Sequence, residues 1–152
     1  MKFMIKTALV ACLMVPMFGG ASIATEADDA IKYRKAIMEV VGGHTGAFFA
    51  ILQQKVPHSD ALAYHAQALA DASARALVAF EQNTQGEGSE KTTAAAAVWE
   101  DWDGFAEKME AFQTAAEAMA VAAASGDMAA IGPAAGPLGG SCKACHDDYR
   151  TK

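Results

Sequence analysis

The 152-residue chain is nearly without cysteine: Cys12, Cys142 and Cys145 are the only three. A closed zinc site takes four ligands at metal-binding spacing, and none complete one here: Cys12 stands far from the other two, and His44, His58 and His65 are not paired in that way. Strand-like alternation is almost absent, which argues against a sheet and against a redox Cys-x-x-Cys pair set in a βαβ unit. No internal repeat, glycine-rich phosphate loop or Ser-His-Asp grouping is found. No general acid, base and nucleophile fall together, so an enzyme is not expected. Beyond Phe18 no apolar run is expected to span a bilayer, so membrane insertion of the mature form is not predicted. Lys and Arg number 12 against 18 Asp and Glu, a formal charge of −6 that disfavours nucleic acid and anionic lipid as partners.

What is present begins with an address. Lys2 and Lys6 make a basic start, residues 7–18 form an apolar run interrupted by Pro16, and residues 21–24 supply small side chains for cleavage. A signal peptide over 1–24, cleaved near Ala24, leaves one domain over 25–152, exported to the periplasm. The sequence around Cys12 resembles a lipoprotein box, but its apolar run is too short for that reading. Loss of Lys2 and Lys6, and of no acid, takes the formal charge from −6 to −8. So acidic a protein favours redox partner proteins with basic patches.

Ten residues from the end stands Cys142-Lys143-Ala144-Cys145-His146. Two cysteines three apart followed by histidine are the attachment signature of a c-type haem, because the thiols add across the vinyl groups while the adjacent imidazole reaches the iron. One haem c per chain is expected, bound by Cys142 and Cys145, with His146 as proximal iron ligand. A non-haem thiol or metal protein is the less favoured alternative.

Four segments carry helical period. The first, over about residues 28–55, places Ile31, Arg34, Met38, Val41, Thr45, Phe48 and Leu52 on one stripe, with Gly42-Gly43 inside it as a site of close helix–helix or helix–haem approach. The second, over about 60–81, carries Leu62, His65, Leu69, Ala72, Ala76 and Phe80, with Ser59 as its expected N-cap. A mobile polar loop is expected over 82–91, followed by Thr92 or Thr93 as the cap of a third helix. That helix reaches about Ala124 with Trp102, Phe105, Met109, Phe112, Ala116, Met119 and Ala123 in strict heptads. Ser125-Gly126 closes it and Asp127 caps the fourth, whose stripe is Met128, Ile131, Ala135, Leu138, Cys142, Cys145 and Tyr149. Pro133 and Pro137 predict an interruption between about residues 132 and 138. The fold class is all-α, an antiparallel up-down-up-down four-helix bundle.

Around the iron, Arg150 lies one turn after His146 and either sits beside that imidazole or a propionate, or is a solvated cation at a helix C-terminus. On the first helix Met38 faces the core, as filler or as a candidate sixth ligand, with Arg34 one turn before it on the same face.

The segments Asp29 to Met38, Gly42-Gly43-His44, Leu62-Ala63-Tyr64-His65, Val98-Trp99, Ser125-Gly126-Asp127 and Leu138 to Arg150 together resemble cytochrome c′ over essentially the whole mature chain. The resemblance implies that Met38 stands at the open side of the haem, where low-spin relatives use methionine as an iron ligand and other members keep the iron five-coordinate. It implies that Arg34 and Lys35 lie along the propionates, that Thr93 borders the haem from a loop, and that Arg150 is the basic residue beside the proximal histidine. A homodimer through the first two helices is also implied. Pro133 and Pro137 depart from the pattern. Two functions follow: one-electron transfer, and binding of diatomic gases such as nitric oxide or carbon monoxide.

Overall fold

A computed structural model describes residues 20–151. The basic start, the apolar run 7–18 and Cys12 lie outside the described residues, as do the side chains of 21–23 at the expected cleavage site. Four long helices, α1 (Gly20–Leu52), α2 (Leu62–Ala76), α4 (Trp102–Ala124) and α5 (Met128–Tyr149), form the bundle, with α3 (Ala97–Glu100) a single turn before α4. No strand occurs among the described residues; Ala94 and Arg150 make one isolated antiparallel bridge.

The heptads of the third segment are realised in α4, where Phe105, Met109, Phe112, Ala116, Met119 and Ala123 are all buried. Each large side chain among them contributes about 1.5–3 kcal/mol by leaving water. Opposite them α2 buries Leu62, Ala66, Leu69, Ala70 and Ala76; its small side chains let α1 and α4 pack closely on either side. In α5, Ile131, Ala135, Leu138 and Tyr149 are buried, whereas Met128, expected on the same stripe, is exposed in the first turn.

Several helix ends differ from expectation. Ser59 is no cap: it opens a 3-10 turn, Ser59–Ala61, whose side chains make no capping bond. The second segment then stops at Ala76 and ends in another 3-10 turn, Val78–Phe80. Thr92 and Thr93 cap nothing either, because the helix starts only at Ala97; Thr92 Oγ1 accepts from the Ala94 N–H, and the Thr93 carbonyl accepts from Thr151 N–H. Asp127 caps α5 as expected, its carboxylate accepting from Ala129 N–H at 2.9 Å, after Gly126 turns the chain at φ +69°. The predicted interruption of α5 does not occur. Pro133 and Pro137 are one turn apart and exposed, so the carbonyls that lose a partner lie toward water and the helix continues.

Length and composition alone would let Ala24–Leu52 cross a membrane, the one such helix among the described residues. That corrects the expectation that nothing beyond Phe18 has these properties. The same helix buries Ile31, Phe48 and Ile51 in the protein, as a bundle helix does.

The polar segment after α2 is a surface loop, but it is fastened at several points. The Asp28 carboxylate accepts from Ser89 N–H (2.6 Å), Glu90 N–H (2.8 Å) and the Ser89 hydroxyl (2.9 Å). Gly88 runs so close, at φ +72°, that a Cβ there would strike this carboxylate. The Glu90 and Ser89 N–H groups hold the Asp28 carboxyl below the usual range. A depressed pKa means stability that is present above the ordinary value of about 4 and lost as pH falls through the lower folded value. Asp28→Asn is therefore expected to lower the melting temperature near neutral pH, with the difference from the parent shrinking in acid; thermal melts between about pH 7 and 2 check it.

Candidate haem site

Helices α1 and α2, α2 and α4, and α4 and α5 pack along their lengths, but α1 and α5 scarcely touch. Between them lies a cleft of about 680 Å³. On the α5 side it is lined by Ser141, Cys142, Cys145, His146, Tyr149 and Arg150. The spacing of three and four residues puts both thiols and the imidazole on one face of the helix, as the motif requires. The opposite side is α1, with Met38, Val41, Gly42, Thr45 and Gly46, and the interior is Phe80, Phe105, Met109 and Phe112. Arg34, Lys35, Thr92 and Thr93 complete the lining.

Cys142 and Cys145 are half-buried and unbridged. Burial pushes both thiols up, Cys145 to about 11 with help from the neighbouring Cys142. His146 goes the other way: burial first, then the Arg150 charge, lower its pKa and favour the neutral imidazole that a metal ligand must be. Arg150 itself is exposed at the C-cap of α5. Tyr149 donates to Asp101 Oδ2 at 2.7 Å, and this bond and burial push its hydroxyl up to about 12. The bond fixes the last turn of α5 against the start of α4.

The remaining candidates divide. Met38 is half-buried and lines the cleft, as its stripe predicts. Thr93 lines it too, from the extended segment that pairs with the chain end. Lys35 reaches Glu90 as an ion pair at 2.5 Å, which holds the loop as well as bordering the cleft. Arg34 touches the cleft, but its guanidinium is committed elsewhere. Only 2% exposed, it donates from Nε to the Ala79 carbonyl, from Nη1 to Thr84 Oγ1 and from Nη2 to the Gln82 carbonyl, each at 3.1 Å, and lies 4.9 Å from the Phe80 and Trp99 ring centres. Gly42 and Gly43 have no atom of this chain within 4 Å of a Cβ built on them, so neither is a point of close approach to another helix of the chain; Gly42 lies on the cleft. Among the described residues no group of three or more His, Cys, Asp or Glu is arranged to hold a metal ion.

Reasoning from sequence passed over Thr92, Phe80 and Val41 as lining, and over Tyr149 as a fastening. Val41, Phe80 and Tyr149 have a helical period visible in the sequence, whereas Thr92 stands there only as a possible cap; which of them faces a cleft rather than a packed neighbour is not visible. The cleft suits a flat, largely apolar macrocycle. Its interior is aromatic and aliphatic, its polar groups are mostly cations and hydroxyls at the margin, and its two thiols sit beside an imidazole kept neutral.

The sequence pattern of the family described as Cytochrome C' matches residues 29–150. The cytochrome c′ of Rhodospirillum rubrum is 34% identical over 152 residues, 99% of each chain. Cytochrome c-556 of Agrobacterium fabrum is 32% identical over 149 residues, 97% of each. Among solved structures, cytochrome c′ from Shewanella frigidimarina superposes with a TM-score of 0.76 at 35% identity, covering 83% of this chain and 97% of that one. A nitric oxide complex of a variant of cytochrome c′ from Alcaligenes xylosoxidans gives 0.73 at 31% identity, with coverage of 83% and 97%.

Proposed function

The chain belongs to the cytochrome c′ family, and from that premise we propose that it carries single electrons outside the cytoplasm, through one haem c joined to Cys142 and Cys145 and ligated by His146. The observation that carries this reading is the cleft itself, with both thiols and the imidazole on α5 and Met38 across it on α1. The bound haem supplies the centre that gains and loses the electron. The polypeptide does the rest: α5 presents the attachment groups, Arg150 helps keep His146 neutral, and the apolar interior excludes water. Arg34, Lys35, Thr93 and Arg150 serve as the environment of its margin. No residue is assigned to substrate turnover. Cleavage near Ala24 and residence of the 25–152 domain in the periplasm belong to the same reading, and so do redox partners with basic surfaces facing a carrier of formal charge −8 after loss of Lys2 and Lys6.

A homodimer through α1 and α2 also fits. Tyr33, Val40 and Tyr64 are exposed apolar side chains on these two helices, at 53%, 46% and 64%. Sedimentation at rising concentration tests it, a monomer throughout counting against.

Gas binding is the second reading, favoured by the nitric oxide complex among the structural relatives. Met38 decides between the two. With its thioether on the iron, the ferric protein is low-spin and shows a weak sulfur-to-iron band toward the red. Met38→Ala then abolishes that band, turns the iron high-spin and raises carbon monoxide affinity by ~10-fold or more, since no ligand need be displaced first. A parent spectrum already high-spin and unchanged by the substitution assigns the protein to gas binding.

A further inference from the structure

Away from the haem cleft, α1 and α2 bring together two histidines 21 residues apart in sequence. His44 Nδ1 and His65 Nδ1 are 3.0 Å apart, and both side chains are half-buried. Tyr64 stands edge-on to both rings, with centres 5.7 Å from His44 and 5.1 Å from His65. Neither imidazole takes part in the haem site.

We propose that His44 and His65 form a two-histidine site for a divalent transition-metal ion, with Cu²⁺ as the preferred occupant and solvent completing the coordination. In the metal-free protein one Nδ1 carries the proton that the other accepts. For the ion to bind, the ring that carries the proton on Nδ1 loses it to solvent and takes one up on Nε2, so both rings coordinate as neutral imidazoles through an Nδ1 lone pair with no net change in protons. Imidazole is a good ligand for copper, nickel and zinc, and the general order of affinity puts copper first. The separation adds a geometric preference. With metal–nitrogen bonds of about 2.05 Å, two nitrogens 3.0 Å apart subtend roughly 95° at the metal. That angle suits adjacent positions of a tetragonal Cu²⁺ or Ni²⁺ ion better than the wider angle of tetrahedral zinc. The two ligands come from neighbouring packed helices, so the pair is held ready, and Tyr64 walls one side of it.

The test uses the haem-loaded protein, in which Cys142, Cys145 and His146 are already engaged. Cu²⁺ is titrated in a buffer of known weak copper affinity and followed by electron paramagnetic resonance. The expected result is saturation at or below one equivalent per chain, with nitrogen hyperfine splitting from two imidazoles and no change in the Soret band. His44→Ala and His65→Ala should each weaken binding by ~10-fold or more, while His58→Ala, which alters an exposed histidine elsewhere, should not. If either alanine variant misfolds, as judged by circular dichroism, His44→Gln and His65→Gln replace it. Saturation at the same copper concentration in all variants, or no saturable nitrogen-ligated signal, overturns the site. Because the Soret band reports the haem separately, failure here leaves the electron-transfer reading untouched.

Discussion

Replacing His146 by alanine is expected to leave the haem attached but to remove its proximal ligand, whereas replacing both Cys142 and Cys145 by serine is expected to abolish covalent attachment altogether. In the proposed reading these residues hold one cofactor through different bonds. Cys142 and Cys145 lie on the cleft face of α5 and are unbridged, so each is available for one thioether. A single serine substitution should retain one thioether and a reduced haem yield. Acid–acetone extraction separates these outcomes, since covalent haem stays with the polypeptide and free haem does not. The His146→Ala spectrum should differ from the parent's in the ferric state, while extraction still leaves the haem on the chain. Full haem content and an unaltered spectrum in all of these variants would remove the haem assignment.

The second large effect belongs to Arg34→Ala, expected to lower stability by about 3–4 kcal/mol. The substitution strands three acceptors, the carbonyls of Ala79 and Gln82 and the hydroxyl of Thr84, at about 1 kcal/mol each. It also removes a cation held between Phe80 and Trp99, worth ~1 kcal/mol. Burial lowers the pKa of this guanidinium, yet an arginine remains charged at any physiological pH, so no titration relieves the site. In a domain of this size the loss amounts to roughly 10 °C in melting temperature. Arg34→Lys keeps the charge but not the planar fork and should recover only part of it. Thermal unfolding of the haem-loaded variants checks this, and a drop of a degree or less would place Arg34 among haem-edge residues and not among fastenings of the loop.

Arg34 also shows where the sequence stopped being legible. Its place on the stripe of α1 was readable from spacing, and so was the burial that follows. Its partners lie 45 to 50 residues on: Ala79 in the turn after α2, and Gln82 and Thr84 in a segment whose glycines and polar side chains suggest mobility. Nothing local encodes such a contact. The heptads of α4 were legible because apolar side chains repeat over six turns, and the Cys-x-x-Cys-His pentapeptide because its chemistry is contained in five residues. Ser59, Thr92 and Thr93 misled for the converse reason: a hydroxyl before an apolar run resembles a cap, but the turn at Ser59–Ala61 and the pairing of Thr93 with Thr151 took the backbone elsewhere. The prolines of α5 misled because their exposure, which makes the lost hydrogen bonds cheap, is a property of the packed bundle. His44 and His65 each looked solitary in sequence, and only the pairing of α1 with α2 makes them neighbours.

The segment after α5 is tied to the segment before α3 by two backbone hydrogen bonds, Ala95 N–H to the Tyr149 carbonyl and Thr151 N–H to the Thr93 carbonyl, which together make the bridge between Ala94 and Arg150. Both ties are main-chain bonds, so they persist through ordinary side-chain substitutions at Thr93, Arg150 or Thr151. The segment that carries Thr93 along the cleft is thereby positioned by backbone geometry and not by the identity of its own side chains, which leaves those side chains free to vary while the margin of the cleft keeps its shape.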